Sequence, residues 1–132
     1  MLYLDASALV KRYVTEDGSD DVLEAMGEAS ALSMCRVGLV ETVGAVAREG
    51  EKRDVKKVER DWLSIDVIEV DGELSKLAAQ LAVSHRLRCL DALHLAAALS
   101  LPHSDLTFAT WDRRLHRAAH EQGLTTLPAT LV

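Results

Sequence analysis

The sequence predicts an α/β fold in which a mostly parallel sheet of four to five strands is flanked by helices on both faces. Short strand-like segments alternate with longer segments of helical periodicity along the chain, which is typical of parallel sheets. Residues 91–101 are apolar almost all round, as in a buried helix. The length of 132 residues, 48% of them hydrophobic, suits a single domain, 1–132, with one core.

Each element has a local signal. The predicted strands are residues 2–5, 31–34, 66–70, 106–110 and, as a possible fifth, 125–127. Ser7 is expected to cap a first helix that runs to about Val14, and the helical spacing of Val37, Val40, Val43 and Ala47 ends at Gly50. The remaining predicted helices are 19–29, 54–64, 73–86, 91–101 and 112–122, the last ended by Gly123.

Composition excludes several classes of protein. A formal net charge of −6 argues against binding nucleic acid by bulk electrostatics, so such contact must be local or helped by a bound cation. The sequence has no run of about 18 apolar residues and no basic leader before the first strand, which predicts a cytoplasmic protein without a membrane segment. Cys35 and Cys89 are expected to be free thiols.

Four acidic residues stand in contexts that favour a shared site. Asp5 closes the first strand, and Asp112 follows the fourth, which places both at the carboxyl edge of a parallel sheet, where ligands bind. Asp91 opens a buried helix, and Glu41 interrupts an apolar helical stretch, where a carboxylate needs a partner. Grouped carboxylate oxygens are the ligands that Mg²⁺ and Mn²⁺ prefer.

Each of these residues also has a structural interpretation. Asp91 and Asp112 stand at helix starts, where Asp commonly caps orphan N–H groups, and Asp5 suits a turn after a strand. Glu41 is an ordinary surface residue if its helix face is exposed. The hydroxyls of Ser7 and Thr110 suit holding a site residue or a water, or alternatively a helix cap and a strand end.

The chain resembles a known family in four successive blocks. They are LYLDASALVKRYVTEDGSDDV, RVGLVETVGAVAR, CLDALHLAAAL and LTFATWDRRLHRAAHEQGL, and together they cover nearly the whole chain. In order, spacing and length they resemble PIN-domain ribonucleases, most nearly the VapC-type toxins of type II toxin–antitoxin systems. The resemblance implies a PIN-like three-layer sandwich.

The resemblance also implies an activity and its residues. It implies a metal-dependent endoribonuclease whose carboxylates hold Mg²⁺ or Mn²⁺ and which leaves a 5′-phosphate and a 3′-hydroxyl. The implied catalytic residues are Asp5, Glu41, Asp91 and Asp112. Asp5, Asp91 and Asp112 are expected to ligate metal directly or through water, and Glu41 to complete the site. Thr110 matches the small hydroxyl residue that precedes the last acid.

The implied partners are an RNA substrate, a cognate VapB-type antitoxin and a second copy of the chain in a homodimer. Five arginines close to the acids in sequence are candidates for guiding RNA phosphates or are solvated helix-end charges: Arg12, Arg86, Arg88, Arg113 and Arg114. Two functions of other classes stay open. A catalytically silent PIN-like binding module has the same fold, and a phosphoacceptor receiver domain also has an acidic Mg²⁺ pocket, but the first strand here ends in a single acid.

Overall fold

Five short strands form one parallel sheet in the order β3-β2-β1-β4-β5 in the computed structural model, which describes residues 1–102 and 104–132. The strands are β1 (Leu2–Leu4), β2 (Leu32–Cys35), β3 (Asp66–Ile68), β4 (Thr107–Ala109) and β5 (Thr125–Leu127). Every neighbouring pair is parallel, and Leu4 of β1 lies opposite Ala109 of β4. The expectation of a mostly parallel sheet of four to five strands is confirmed.

Seven helices connect these strands in the described part of the chain. They are α1 (Ala6–Leu9), α2 (Ser19–Glu28), α3 (Val37–Glu49), α4 (Lys52–Trp62), α5 (Gly72–His85), α6 (Cys89–Leu99) and α7 (Arg113–Glu121), and a short 3₁₀ turn over Val10–Arg12 extends α1. Among the described residues no helix has both the length and the apolar character needed to cross a membrane.

The sheet separates two apolar layers. Side chains alternate along a strand, so Leu2 and Leu4 of β1 face one layer and Tyr3 faces the other. The Leu2 and Leu4 face packs with residues of α1 and α2, whereas Tyr3 packs with α5, α6 and α7. Helices therefore cover both faces, and the expected three-layer sandwich is confirmed.

Two helix starts differ from the sequence prediction. The first helix is capped by Asp5, whose side chain accepts from the Ala8 amide, and Ser7 lies inside the helix. The helix α6 begins at Cys89 with Arg88 as its N-cap, so the interpretation of Asp91 as a cap is wrong. Asp91 lies in the first turn, where a carboxylate interacts favourably with the helix dipole but leaves its oxygens available.

Candidate active site

The carboxylate of Asp5 is held rigidly just beyond β1. One of its oxygens accepts from the Ala8 amide (2.9 Å) and the Ser7 hydroxyl (2.7 Å), and the other accepts from the Thr110 hydroxyl (2.6 Å). Burial raises the pKa of Asp5, while these donors and His94 act in the opposite direction. Three donors directed at one buried carboxylate compensate its lost hydration and fix its orientation.

Thr110 connects Asp5 to Asp112. It is fully buried after β4, and its hydroxyl oxygen accepts from the Asp112 amide at 3.1 Å while its hydrogen is donated to Asp5. One oxygen of Asp112 caps α7 by accepting from the Leu115 amide at 2.9 Å, which confirms the capping interpretation of Asp112. The second oxygen of Asp112 takes no part in the cap and contacts Arg88 instead. Capping α7 therefore leaves this oxygen available for a role in the site.

Arg88 bridges Asp91 and Asp112. Its Nε lies 3.1 Å from one oxygen of Asp91, and a terminal guanidinium nitrogen lies 3.1 Å from the second oxygen of Asp112. Burial raises the pKa of Asp91, and the nearby negative charge of Asp112 raises it further, against the opposing effect of Arg88. Two carboxylates from different elements therefore share a single positive charge.

Glu41 contacts a buried histidine from a different helix. Its Oε1 lies 2.6 Å from Nε2 of His94, which is 1% exposed and stands one helical turn after Asp91 on α6. The other ring nitrogen of His94 lies 2.7 Å from the hydroxyl of Tyr3. His94 is thus a core histidine with both ring nitrogens satisfied and also supports Glu41.

All four predicted acids belong to one network of contacts. Asp5 and Asp112 join through Thr110, Asp112 and Asp91 join through Arg88, and α6 carries both Asp91 and the histidine that holds Glu41. Within residues 1–102 and 104–132, however, no three His, Cys, Asp or Glu side chains are grouped closely enough to hold one metal ion.

The donor set nevertheless fits a hard divalent cation. The four side chains offer only carboxylate oxygens, and two of them already hold the charged group of Arg88. The repulsion that raises the pKa of Asp91 would be relieved by a bound cation, as it is partly relieved by the guanidinium. The residue types are therefore those that would suit a cation, and Arg88 would compete with such a cation for Asp91 and Asp112.

A cavity of about 600 Å³ opens next to Asp91 and Asp112. Its remaining lining residues are Trp111 and four arginines, namely Arg88, Arg113, Arg114 and Arg117. Arg117 was missed from the sequence, although its spacing of four residues from Arg113 places both on one face of α7. Among the other contacts of the candidate arginines, Arg12 pairs with Asp61, and the Arg114 side chain donates to the backbone carbonyl of Arg86.

Comparison with known proteins identifies the family. The PIN domain family matches residues 2–121. This chain belongs to the PIN domain family. Its similarity to Ribonuclease VapC45 of Mycobacterium tuberculosis, 35% identity over 99% of this chain and 97% of that protein, relates it to the VapC members of the PIN domain family. This membership leaves no support for the receiver-domain alternative.

Solved structures agree on the PIN fold. The crystal structure of M. tuberculosis VapC20, described as a sarcin-ricin loop cleaving toxin, aligns with a TM-score of 0.76 at 15% identity, covering 89% of this chain and 95% of that one. A chain of a toxin-antitoxin complex from Klebsiella pneumoniae aligns with a TM-score of 0.68 at 14% identity, covering 85% and 87%. At these identities the likeness concerns the fold alone.

Proposed function

We propose that this PIN-domain protein is a metal-dependent endoribonuclease and the toxic component of a type II toxin–antitoxin module. The observation that carries the proposal is the single contact network that joins Asp5, Asp91 and Asp112, from three separate elements, beside a cavity lined by arginines. The full-length similarity to a protein named Ribonuclease VapC45 supports RNA as the substrate class.

Each acid has a proposed role in this function. Asp5, Asp91 and Asp112 would hold Mg²⁺ or Mn²⁺, which supplies Lewis-acid stabilisation of phosphate charge and lowers the pKa of a bound water. Glu41, anchored through one oxygen by His94, would orient the attacking water with its other oxygen. Thr110 and Ser7 hold the Asp5 carboxylate in position.

The arginines of the cavity are proposed to bind RNA phosphates. Arg113, Arg114 and Arg117 concentrate positive charge on one face of α7 in a protein whose net charge is −6. Such a patch would hold a phosphate backbone locally, which is the kind of RNA contact open to a protein of negative net charge. The products are proposed to carry a 5′-phosphate and a 3′-hydroxyl.

The proposed partners are a VapB-type antitoxin and a second copy of the chain. Solved toxin–antitoxin complexes among the structures of the same fold support an antitoxin partner. Sedimentation of the purified protein alone and with its co-expressed antitoxin would test both assemblies.

The proposed location is the cytoplasm. The two cysteines are free, Cys35 buried and Cys89 exposed, which suits a reducing compartment.

RNA cleavage by matched aspartate variants tests the function. Wild type, Asp91→Asn and Asp71→Asn are incubated with total RNA in Mg²⁺, in Mn²⁺ and in chelator, and the cut ends are mapped. Asp91→Asn removes a site charge without removing a cap, whereas Asp71→Asn makes the same change at the cap of α5. We expect metal-dependent cleavage by wild type and Asp71→Asn, and its loss in Asp91→Asn.

A catalytically silent binding module is the second candidate. The Arg88 bridge favours it, because a guanidinium that permanently occupies Asp91 and Asp112 would block a cation. Equal cleavage by all three proteins would indicate a contaminating nuclease. RNA binding without cleavage by wild type, together with absent Mn²⁺ binding in calorimetry, would establish the silent module.

A further inference from the structure

A buried chain of hydrogen bonds runs from the centre of the sheet to the edge of the site. Tyr3 of β1 is fully buried, and its hydroxyl accepts from the Cys35 amide of β2 at 3.0 Å. The same hydroxyl lies 2.7 Å from Nδ1 of His94, whose Nε2 lies 2.6 Å from Oε1 of Glu41. A chain of hydrogen bonds through β2, β1 and α6 thus ends at the carboxylate of Glu41.

The direction of each bond follows from counting hydrogens. A tyrosine hydroxyl has one hydrogen, and a buried hydroxyl hydrogen needs an acceptor. Of its two hydrogen-bond partners among the described residues, the Cys35 amide is itself a donor, so the hydrogen of Tyr3 is donated to Nδ1 of His94. The neutral imidazole therefore carries its hydrogen on Nε2 and donates it to Glu41.

The ring of Tyr3 packs in the core, whereas its hydroxyl makes the hydrogen bond to His94. The Tyr3 ring stacks on Phe108 of β4 with centroids 5.2 Å apart and planes 3° from parallel. A phenylalanine at position 3 would preserve this stacking and remove only the hydroxyl. Without that hydroxyl only the Glu41 carboxylate still favours the Nε2-protonated tautomer of His94, so the preference weakens and a share of the Nδ1-protonated ring, which cannot donate to Glu41, is expected.

We propose that Tyr3 and His94 are positioning residues that set the orientation of the Glu41 carboxylate through a fixed histidine tautomer. The side chain of Glu41 is 25% exposed, and its other oxygen has no hydrogen bond within the described part of the chain. One oxygen is thus anchored, and the other is available for a further contact. The inference rests on the proposed function for what Glu41 does, but the anchor itself does not depend on nuclease activity.

The tautomer is measured directly by ¹⁵N NMR of the histidine ring. Wild type should show His94 protonated on Nε2, and Tyr3→Phe should show a mixture of tautomers. Tyr13→Phe is the matched control, because it removes a hydroxyl that donates to Asp61 away from His94. An Nδ1-protonated His94 in wild type, or identical His94 signals in wild type and Tyr3→Phe, would overturn the proposal.

Cleavage kinetics then test the consequence for the site. Loss of the hydrogen bond that orients Glu41 should lower kcat for RNA cleavage about 10- to 100-fold in His94→Leu. His94→Gln, which keeps an N–H donor, should recover part of the loss and also serves if Tyr3→Phe does not fold. Equal kcat in wild type and a folded His94→Leu would overturn the positioning role.

The nuclease function and the positioning role of Tyr3 and His94 can be disproved independently. If wild type cleaves no RNA but His94 has the expected tautomer and Tyr3→Phe changes it, the nuclease function fails and the anchor stands. If wild type cleaves RNA and folded Tyr3→Phe and His94→Leu cleave it with unchanged kcat, the nuclease stands and the positioning role fails. A fall in kcat with unchanged KM in both variants is the result expected for an oriented catalytic carboxylate.

Discussion

The hydroxyl of Thr110 donates a 2.6 Å hydrogen bond to Asp5 and thereby joins the carboxyl ends of the adjacent strands β1 and β4. Parallel strands end at the same edge of a sheet, so two residues that are 105 positions apart meet there. The bond lies behind the proposed site, where it stabilises both the fold and the orientation of the acid.

Replacing Thr110 with valine should destabilise the protein by about 2–3 kcal/mol, because a buried carboxylate oxygen and the Asp112 amide both lose their partner. Thr110→Ser keeps the hydroxyl and should lose less than about 1 kcal/mol, the value of one methyl group. Urea unfolding of both variants measures the difference. A stable Thr110→Val beside a destabilised Thr110→Ser would indicate that packing of the methyl group matters and the hydroxyl does not.

Asp91→Asn should raise the melting temperature of the metal-free protein by about 2–5 °C near neutral pH. Burial and Asp112 raise the pKa of Asp91 in the folded state, so the folded protein binds a proton more tightly than the unfolded chain does. The unfavourable contribution therefore develops as pH rises from the unfolded value of 3.8 through the higher folded pKa.

Calorimetric melting curves at several pH values test whether the destabilisation by Asp91 grows as pH rises. The advantage of Asp91→Asn over wild type should be largest near neutral pH and should shrink as the solution is acidified below the unfolded pKa. Because Asp91 does not cap α6, no loss of a cap opposes the gain. A lower melting temperature of the variant at every pH would contradict the prediction and indicate a stabilising ion pair with Arg88.

Arg88→Gln should lower the Mn²⁺ concentration for half saturation about two- to fivefold, the range expected when an exposed ion pair no longer competes for the carboxylates. Arg113→Gln removes the same charge from the same cavity and serves as the control. Isothermal titration measures both. Weaker Mn²⁺ binding in Arg88→Gln would show that the guanidinium supports the site and does not compete with the ion.

Arg117→Gln should weaken RNA binding and reduce the slope of log affinity against log salt concentration by about 0.7, the value for one phosphate contact with a single strand. Binding is measured with Asp91→Asn as the background, so that the RNA is not cut. Arg53→Gln, on α4 and paired with Glu51, is the control. An unchanged slope for Arg117→Gln would remove this arginine from the proposed phosphate surface.

Gly18→Ala should destabilise the protein by at least about 1–2 kcal/mol, because Gly18 has a positive φ of 92° that other residues adopt at a cost. An added Cβ would also lie 2.7 Å from ring atoms of Trp111, next to Asp112. Gly27→Ala is the control, since its Cβ would meet nothing within 4 Å inside α2. Chemical denaturation of the two variants should give shifts of opposite sign.

Local patterns were sufficient to predict the fold class and to single out the four acids as candidates. Alternating strand and helix periods require a parallel sheet with two covered faces, and this topology places Asp5 and Asp112 at one edge. Element ends were less predictable. The caps of α1 and α6 were misplaced because several residues near each start can satisfy the same amides, and packing selects among them.

The sequence by itself determined the parallel α/β architecture, the candidate carboxylates and the local character of any nucleic-acid contact, because these depend on periodicity, residue type and net charge. Only the tertiary structure decided that Arg88 bridges Asp91 and Asp112 and that Tyr3 reaches Glu41 through His94. Apart from the bond of Arg88 to Asp91 one helical turn away, those contacts join residues that are distant along the chain, and their geometry depends on how α3 and α6 pack over the sheet.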